Sequence, residues 1–149
     1  MRALAGAFAS KNPRSVLLAG GGFFKAAEPD GVYMARFAWA NVATGFAANS
    51  PQTPDDLLGF VQPYPGFLWR VVRDGRIIRP GYGVTLFSSG DFYASFPGGA
   101  EPGARVYASM LDGSPISGEA DDAEITPWWT VTGASPGGLA IISTWSIPQ

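Results

Sequence analysis

Hydrophobic and polar positions change over in short runs along this chain, and no run repeats at the three-to-four-residue spacing of an amphipathic helix. In VYMARFAWA, residues 32–40, Val32, Met34, Arg36 and Ala38 alternate with Tyr33, Ala35, Phe37 and Trp39. That alternation predicts a strand with its aromatic face inward. NVATGFAANSPQTPDDLLG, 41–59, is loop-rich. FVQPYPGFLWRVV regains strand character, with interruptions at Pro63 and Pro65 that imply an edge or a bend. VTLFSSGDFYASF reads as two short strands broken at Ser88-Ser89-Gly90-Asp91. RVYASML is a strand, Asp112 to Pro115 a turn and GEADDAE an acidic loop; TPWWTVTG and LAIISTW close the chain as strands joined through ASPGG. Turn signals roughly every eight to twelve residues predict an all-β single domain, a sandwich or barrel of jelly-roll-like build.

Residues 1–31 break this pattern. They are rich in Ala and Gly, with Pro13 and Pro29 interrupting any period, and predict an extended N-terminal arm ahead of a β domain at 32–149. Leu4, Phe8, Leu17, Leu18, Phe23 and Phe24 in the arm are apolar, and the expectation is that a neighbouring subunit, or the surface on which the protein docks, covers them.

WRVVRDGRIIRP, 69–80, predicts a β-hairpin, because Asp74-Gly75 suits a two-residue type I′ turn. Folded about that turn, Arg73 faces Arg76 and Arg70 faces Arg79, with Val72 against Ile77 and Val71 against Ile78. Like charges across a ladder repel, so acidic groups from elsewhere are expected to offset them. Four of the ten basic residues sit here, in a chain whose net charge is −2. No basic residue follows Arg105, whereas Asp112, Glu119, Asp121, Asp122 and Glu124 do. The basic hairpin and the acidic 119–124 loop are complementary, between copies or within one.

Composition narrows the function. Charged residues make up only 15% of the chain, below the roughly 25% of an ordinary soluble domain, which suggests apolar surface covered by a partner. Gly 20 and Pro 13 suit strands joined by many turns. With no His and no Cys, the commonest general base and the thiolate metal sites are missing, and no metal or cofactor is expected. The first 22 residues do not read as a signal peptide, because Lys11 to Arg14 cut the apolar stretch short. No apolar run reaches the ~18 residues of a membrane helix, and the slightly acidic balance argues against nucleic acid. Trp128-Trp129, with Trp145, suggest a stacking platform, but neighbours along a strand point to opposite faces. One Trp in the core and one half-exposed is the expected outcome. The carboxylates stand in turns and the acidic loop, where turn chemistry accounts for them better than a glycosidase pair does. Gly20-Gly21-Gly22 lacks the following Lys-Ser/Thr of a phosphate loop.

Three stretches, in this order, resemble tailed-phage structural cement or capsid decoration proteins: VYMARFAWAN (32–41), PGYGVTLFSSGDFYASFPGGAEPGARVYASMLDGSP (80–115) and WWTVTGASPGGLAIISTW (128–145). The likeness covers most of the chain after residue 31, and departs from the pattern at Met34-Ala35, before Arg36, where a glycine is expected. The resemblance implies a non-enzymatic virion protein, made in the host cytoplasm, that binds the outside of the capsid and bridges neighbouring copies of the major capsid protein. It implies no catalytic residues and no cofactor. A homo-oligomer is expected, whose interface uses Arg70, Arg73, Arg76, Arg79, Leu4, Phe8, Phe23, Phe24, Glu119, Asp121, Asp122 and Glu124. The alternative is a carbohydrate-binding or host-adhesion β-module using exposed aromatic residues.

Overall fold

The computed structural model describes residues 5–17, 24–62, 72, 73 and 77–145, and among these it is all-β. Fifteen strands run β1 (Ser15–Val16), β2 (Phe24–Ala26), β3 (Val32–Tyr33), β4 (Phe37–Ala40), β5 (Phe46–Ala48), β6 (Leu57–Val61), β7 (Val72–Arg73), β8 (Ile77–Ile78), β9 (Gly83–Val84), β10 (Leu86–Ser89), β11 (Asp91–Ser95), β12 (Arg105–Ser109), β13 (Pro115–Ser117), β14 (Ala123–Thr130) and β15 (Leu139–Ser143). They form three sheets, ordered β1-β10-β6-β4-β5-β2-β9, β11-β15-β14-β12-β13 and β3-β8-β7.

The seven-stranded sheet lies between the other two. On one face Phe37, Trp39, Phe60 and Phe87 pack against Phe92, Val106, Trp128 and Ile142 of the five-stranded sheet. On the other, Phe24, Ala38, Ala40, Val61 and Leu86 pack with Val32 and Ile78 of the three-stranded sheet. Strand β4 is therefore buried at all four positions, as strands covered on both faces are. Chain alternation sorts the residues: Phe37 and Trp39 enter one core, Ala38 and Ala40 the other, and alanine is small enough for the tighter side. Edge-to-face and tilted contacts among Phe37, Phe60, Phe92 and Trp128, with ring centroids 5.0–6.4 Å apart, knit the larger core.

At Gly90 (φ 133°) the chain leaves the seven-stranded sheet and enters the five-stranded one. This is the break expected between the strands of VTLFSSGDFYASF. At Gly113 (φ 76°) the β12–β13 turn presses onto β4: Phe37 N–H donates to the Gly113 carbonyl at 2.8 Å. A Cβ at Gly113 would run into the Phe37 carbonyl.

Three expectations need correction. The 32–40 run is two strands, not one, because Ala35 adopts φ 61° and turns the chain between β3 and β4. The 72–78 hairpin pairs Val72 with Ile78 and Arg73 with Ile77, not Val72 with Ile77; three residues separate the strands, and the expected partner Arg76 lies outside the described residues. The arm is also not free of the β domain. Residues 6–9 hydrogen-bond along β11, β1 pairs with β10, and β2 sits between β5 and β9. Phe24 is wholly buried, and Phe8 packs on Phe87 and Phe92 at 5.6 and 5.4 Å. Both therefore find cover in their own chain rather than on a neighbour, because β2 and the 6–9 segment fill positions that the sheets leave open.

Candidate functional site

The five-stranded sheet covers the core with one face, and its other face is the candidate site. Strand alternation decides which residues reach it. Along β14, Thr126, Trp128 and Thr130 are buried, so Ile125, Pro127 and Trp129 point outward. Pairing then aligns the rows. Tyr93 stands opposite Ile141, and Val131 extends that row by donating its N–H to the Ile141 carbonyl at 2.8 Å. Ile116, Tyr107 and Ile125 make a second row across β13, β12 and β14. Ile125 and Val131 are 51% and 40% exposed.

Arg105 is the cation of this face. Its guanidinium lies over the Trp129 ring, 4.6 Å from the centroid, and its Nε–H donates to the Thr126 carbonyl at 2.6 Å. Strands β13 and β14 flank β12 on opposite sides, so residues 118–122 must cross β12. The core side is filled by Val106 and Ala108, which leaves the solvent side for an acidic strap. It starts where Gly118 N–H meets the Arg105 carbonyl and ends where the Asp122 carbonyl accepts from Met110 N–H. Asp122 holds φ 52° there, a conformation aspartate tolerates better than most residues.

One end of the sheet is closed by the N-terminal segment. Asp91 Oδ2 accepts from Ser10 Oγ at 2.7 Å and Asn12 Nδ2 at 2.6 Å, while Oδ1 accepts from Ser143 Oγ. Arg14 stacks on Phe8 at 3.5 Å, and the Trp145 indole donates to the Pro13 carbonyl at 2.8 Å.

The expected interface residues fall into three groups. Arg79, Glu119, Asp121 and Asp122 are exposed and Glu124 is half-buried; none has a charged partner among the described residues. Phe8 and Phe24 belong to the cores. Leu4, Phe23, Arg70 and Arg76 lie outside the described residues, and only the backbone of Arg73 is described. Trp128 is fully buried while Trp129 is half-buried, as expected of adjacent strand residues. The apolar outer rows were missed. Their signal was present in TPWWTVTG and LAIISTW, where both alternating sets of positions carry large apolar residues. Among the described residues, no three of Asp, Glu, His or Cys converge to hold a metal, and no helix is long and apolar enough to cross a membrane.

Residues 2–144 match the family described as XM1 gp53 minor capsid protein. A chain from the structure of the capsid of Myoviridae phage XM1 is similar in fold, with a TM-score of 0.66 at 13% sequence identity, over 95% of this chain and 89% of that chain. No curated protein matches. These likenesses define a tailed-phage capsid-associated protein of all-β build. The chain belongs to the XM1 gp53 minor capsid protein family, a family of virion structural proteins.

Proposed function

We propose that this protein is a non-enzymatic component of the virion that binds the outer capsid surface as a homo-oligomer and cements neighbouring subunits of the major capsid protein. The observation that supports this reading is the family match over residues 2–144. Such a protein gains strength from many simultaneous weak contacts, since each bound copy raises the effective concentration of the next site. Arg70, Arg73, Arg76 and Arg79 supply cations for acidic groups on the capsid or on a neighbouring copy, where bidentate contacts also fix the docking register. The carbohydrate-binding alternative would rest on the exposed Trp145, Tyr82 and Tyr33, because Trp128 is buried and Trp129 lies under Arg105.

Adding the protein to undecorated capsids tests the proposal. It should co-migrate with them in a density gradient and raise their resistance to heat, with no turnover of substrate. Binding should weaken as salt rises, because exposed charges are screened over roughly 8 to 10 Å. Arg73→Glu with Arg76→Glu should reduce capsid addition while leaving the protein folded. Failure of the parent protein to co-migrate with capsids would overturn the reading.

A further inference from the structure

Resting on that reading, we propose that the protein pairs with a second copy of itself, face to face about a two-fold axis, through the outer surface of the five-stranded sheet. An antiparallel sheet with one open face ordinarily turns polar residues to water on that side. Here the open side carries Tyr93, Ile141 and Val131 in one row, with Trp129 beside them and Ile125 further along β14. An apolar face of this kind calls for cover.

The charges select the occupant. Arg105 donates its Nε–H to the Thr126 carbonyl, and its terminal N–H groups have no acceptor among the described residues. The acidic end of the strap, Asp121 and Asp122, lies beside Met110, past the far end of β12. Four residue steps along β12, ~13 Å, separate Arg105 from Ser109. The surface thus has a cation at one end, carboxylates at the other and apolar rows beside them. A two-fold contact brings each residue of one copy to its complement on the other, twice over. Antiparallel stacking sets each Arg105 toward the partner's strap, whereas parallel stacking sets like charge on like. A purely apolar partner would leave both ends without a counter-charge.

Four inter-strand spacings by five residues is about 19 by 16 Å, smaller than the ~800 Å² per partner of a standard interface. The pairing is therefore concentration-dependent in solution, and a capsid lattice that gathers copies strengthens it.

Sedimentation velocity on the full chain, at increasing protein concentration in low and high salt, tests this. The parent should pass from monomer to dimer, with the midpoint rising in high salt. Arg105→Glu should raise the midpoint at least tenfold, and so should Asp121→Arg. The decisive arm mixes the two variants. Each supplies what the other lost, so the mixture should dimerise where neither does alone, a result that misfolding cannot produce. A parent that stays monomeric at the highest concentration, or a mixture that stays monomeric, overturns the proposal. So does a monomeric parent whose capsid binding is blocked by Arg105→Glu, since the face then belongs to a capsid subunit. Co-sedimentation with undecorated capsids separates the two ideas: a monomer that binds capsids sinks the pairing alone, and a dimer that ignores them sinks the cementing role alone.

Discussion

The indole N–H of Trp128 donates to the Gly90 carbonyl at 2.9 Å, fastening the five-stranded sheet at the residue where the chain enters it. Trp39 faces the same core from the other sheet and is as deeply buried, yet its indole N–H has no acceptor among the described residues. The two tryptophans should respond differently to the same change. Trp128→Phe leaves the Gly90 carbonyl unpaired, whereas Trp39→Phe removes an unsatisfied donor. An orphaned buried polar group costs about 1–3 kcal/mol, so Trp128→Phe should be the more destabilising by about that amount. Urea midpoints of the two variants check this, and equal losses would refute it.

Gly113 and Gly45 offer a matched pair. Both hold left-handed backbone, φ 76° and 77°, but a Cβ at Gly45 meets nothing within 4 Å while one at Gly113 meets the Phe37 carbonyl. Gly45→Ala should cost only the backbone strain, about 1–2 kcal/mol. Gly113→Ala should cost clearly more and should lower hydrogen-exchange protection at the Phe37 amide.

The N-terminal segment should behave as part of the fold. Asp91→Ala removes the acceptor shared by Ser10 and Asn12, so amides of the 6–9 segment should exchange faster while those of β12 stay protected. Deleting residues 1–24 takes away Phe8 and the fully buried Phe24. Loss of a buried phenylalanine side chain costs about 3–5 kcal/mol, which should leave the truncated chain unfolded or severely destabilised by circular dichroism.

Asp56 governs an acid-sensitive loop. Burial raises its pKa, but hydrogen bonds from the Thr53 hydroxyl, the Gln52 and Thr53 amides and the Asn41 side chain outweigh that and hold it below the ordinary 3.8. A depressed carboxylate stabilises the fold fully above its unfolded value, and that contribution is lost as pH falls through the folded one. Asp56→Asn should therefore flatten the loss of stability below about pH 4, as read from thermal midpoints; an unchanged acid limb would count against this.

Much of this architecture could be read from local pattern. Gly90 and Gly113 announced their turns, and the alternation of RVYASML and TPWWTVTG matches β12 and β14. What could not be read was the β5-β2-β9 edge of the seven-stranded sheet. Phe24-Lys25-Ala26 is too short to declare itself a strand, and its partners Phe46-Ala47 and Gly83-Val84 are distant in sequence. Ala35 gave no turn signal because alanine has no side-chain preference for the left-handed backbone it holds. The hairpin register was misjudged because Asp74-Gly75 signals a turn without fixing how many residues the flanking strands exclude. At the candidate face, residue types were legible but sidedness was not: Ile141 and Ile142 look alike until pairing assigns one to water.

The seven-stranded sheet, covered on both sides, has a consequence for how this protein can change over time. Its strands answer to two cores at once, so a substitution that suits one side must also be tolerated by the other. New binding preferences are therefore cheapest to acquire in the outward positions of β12, β14 and β15 and in the strap, where a side chain answers to one core or none. A lineage adapting to an altered shell would keep FAWA and rewrite its rim.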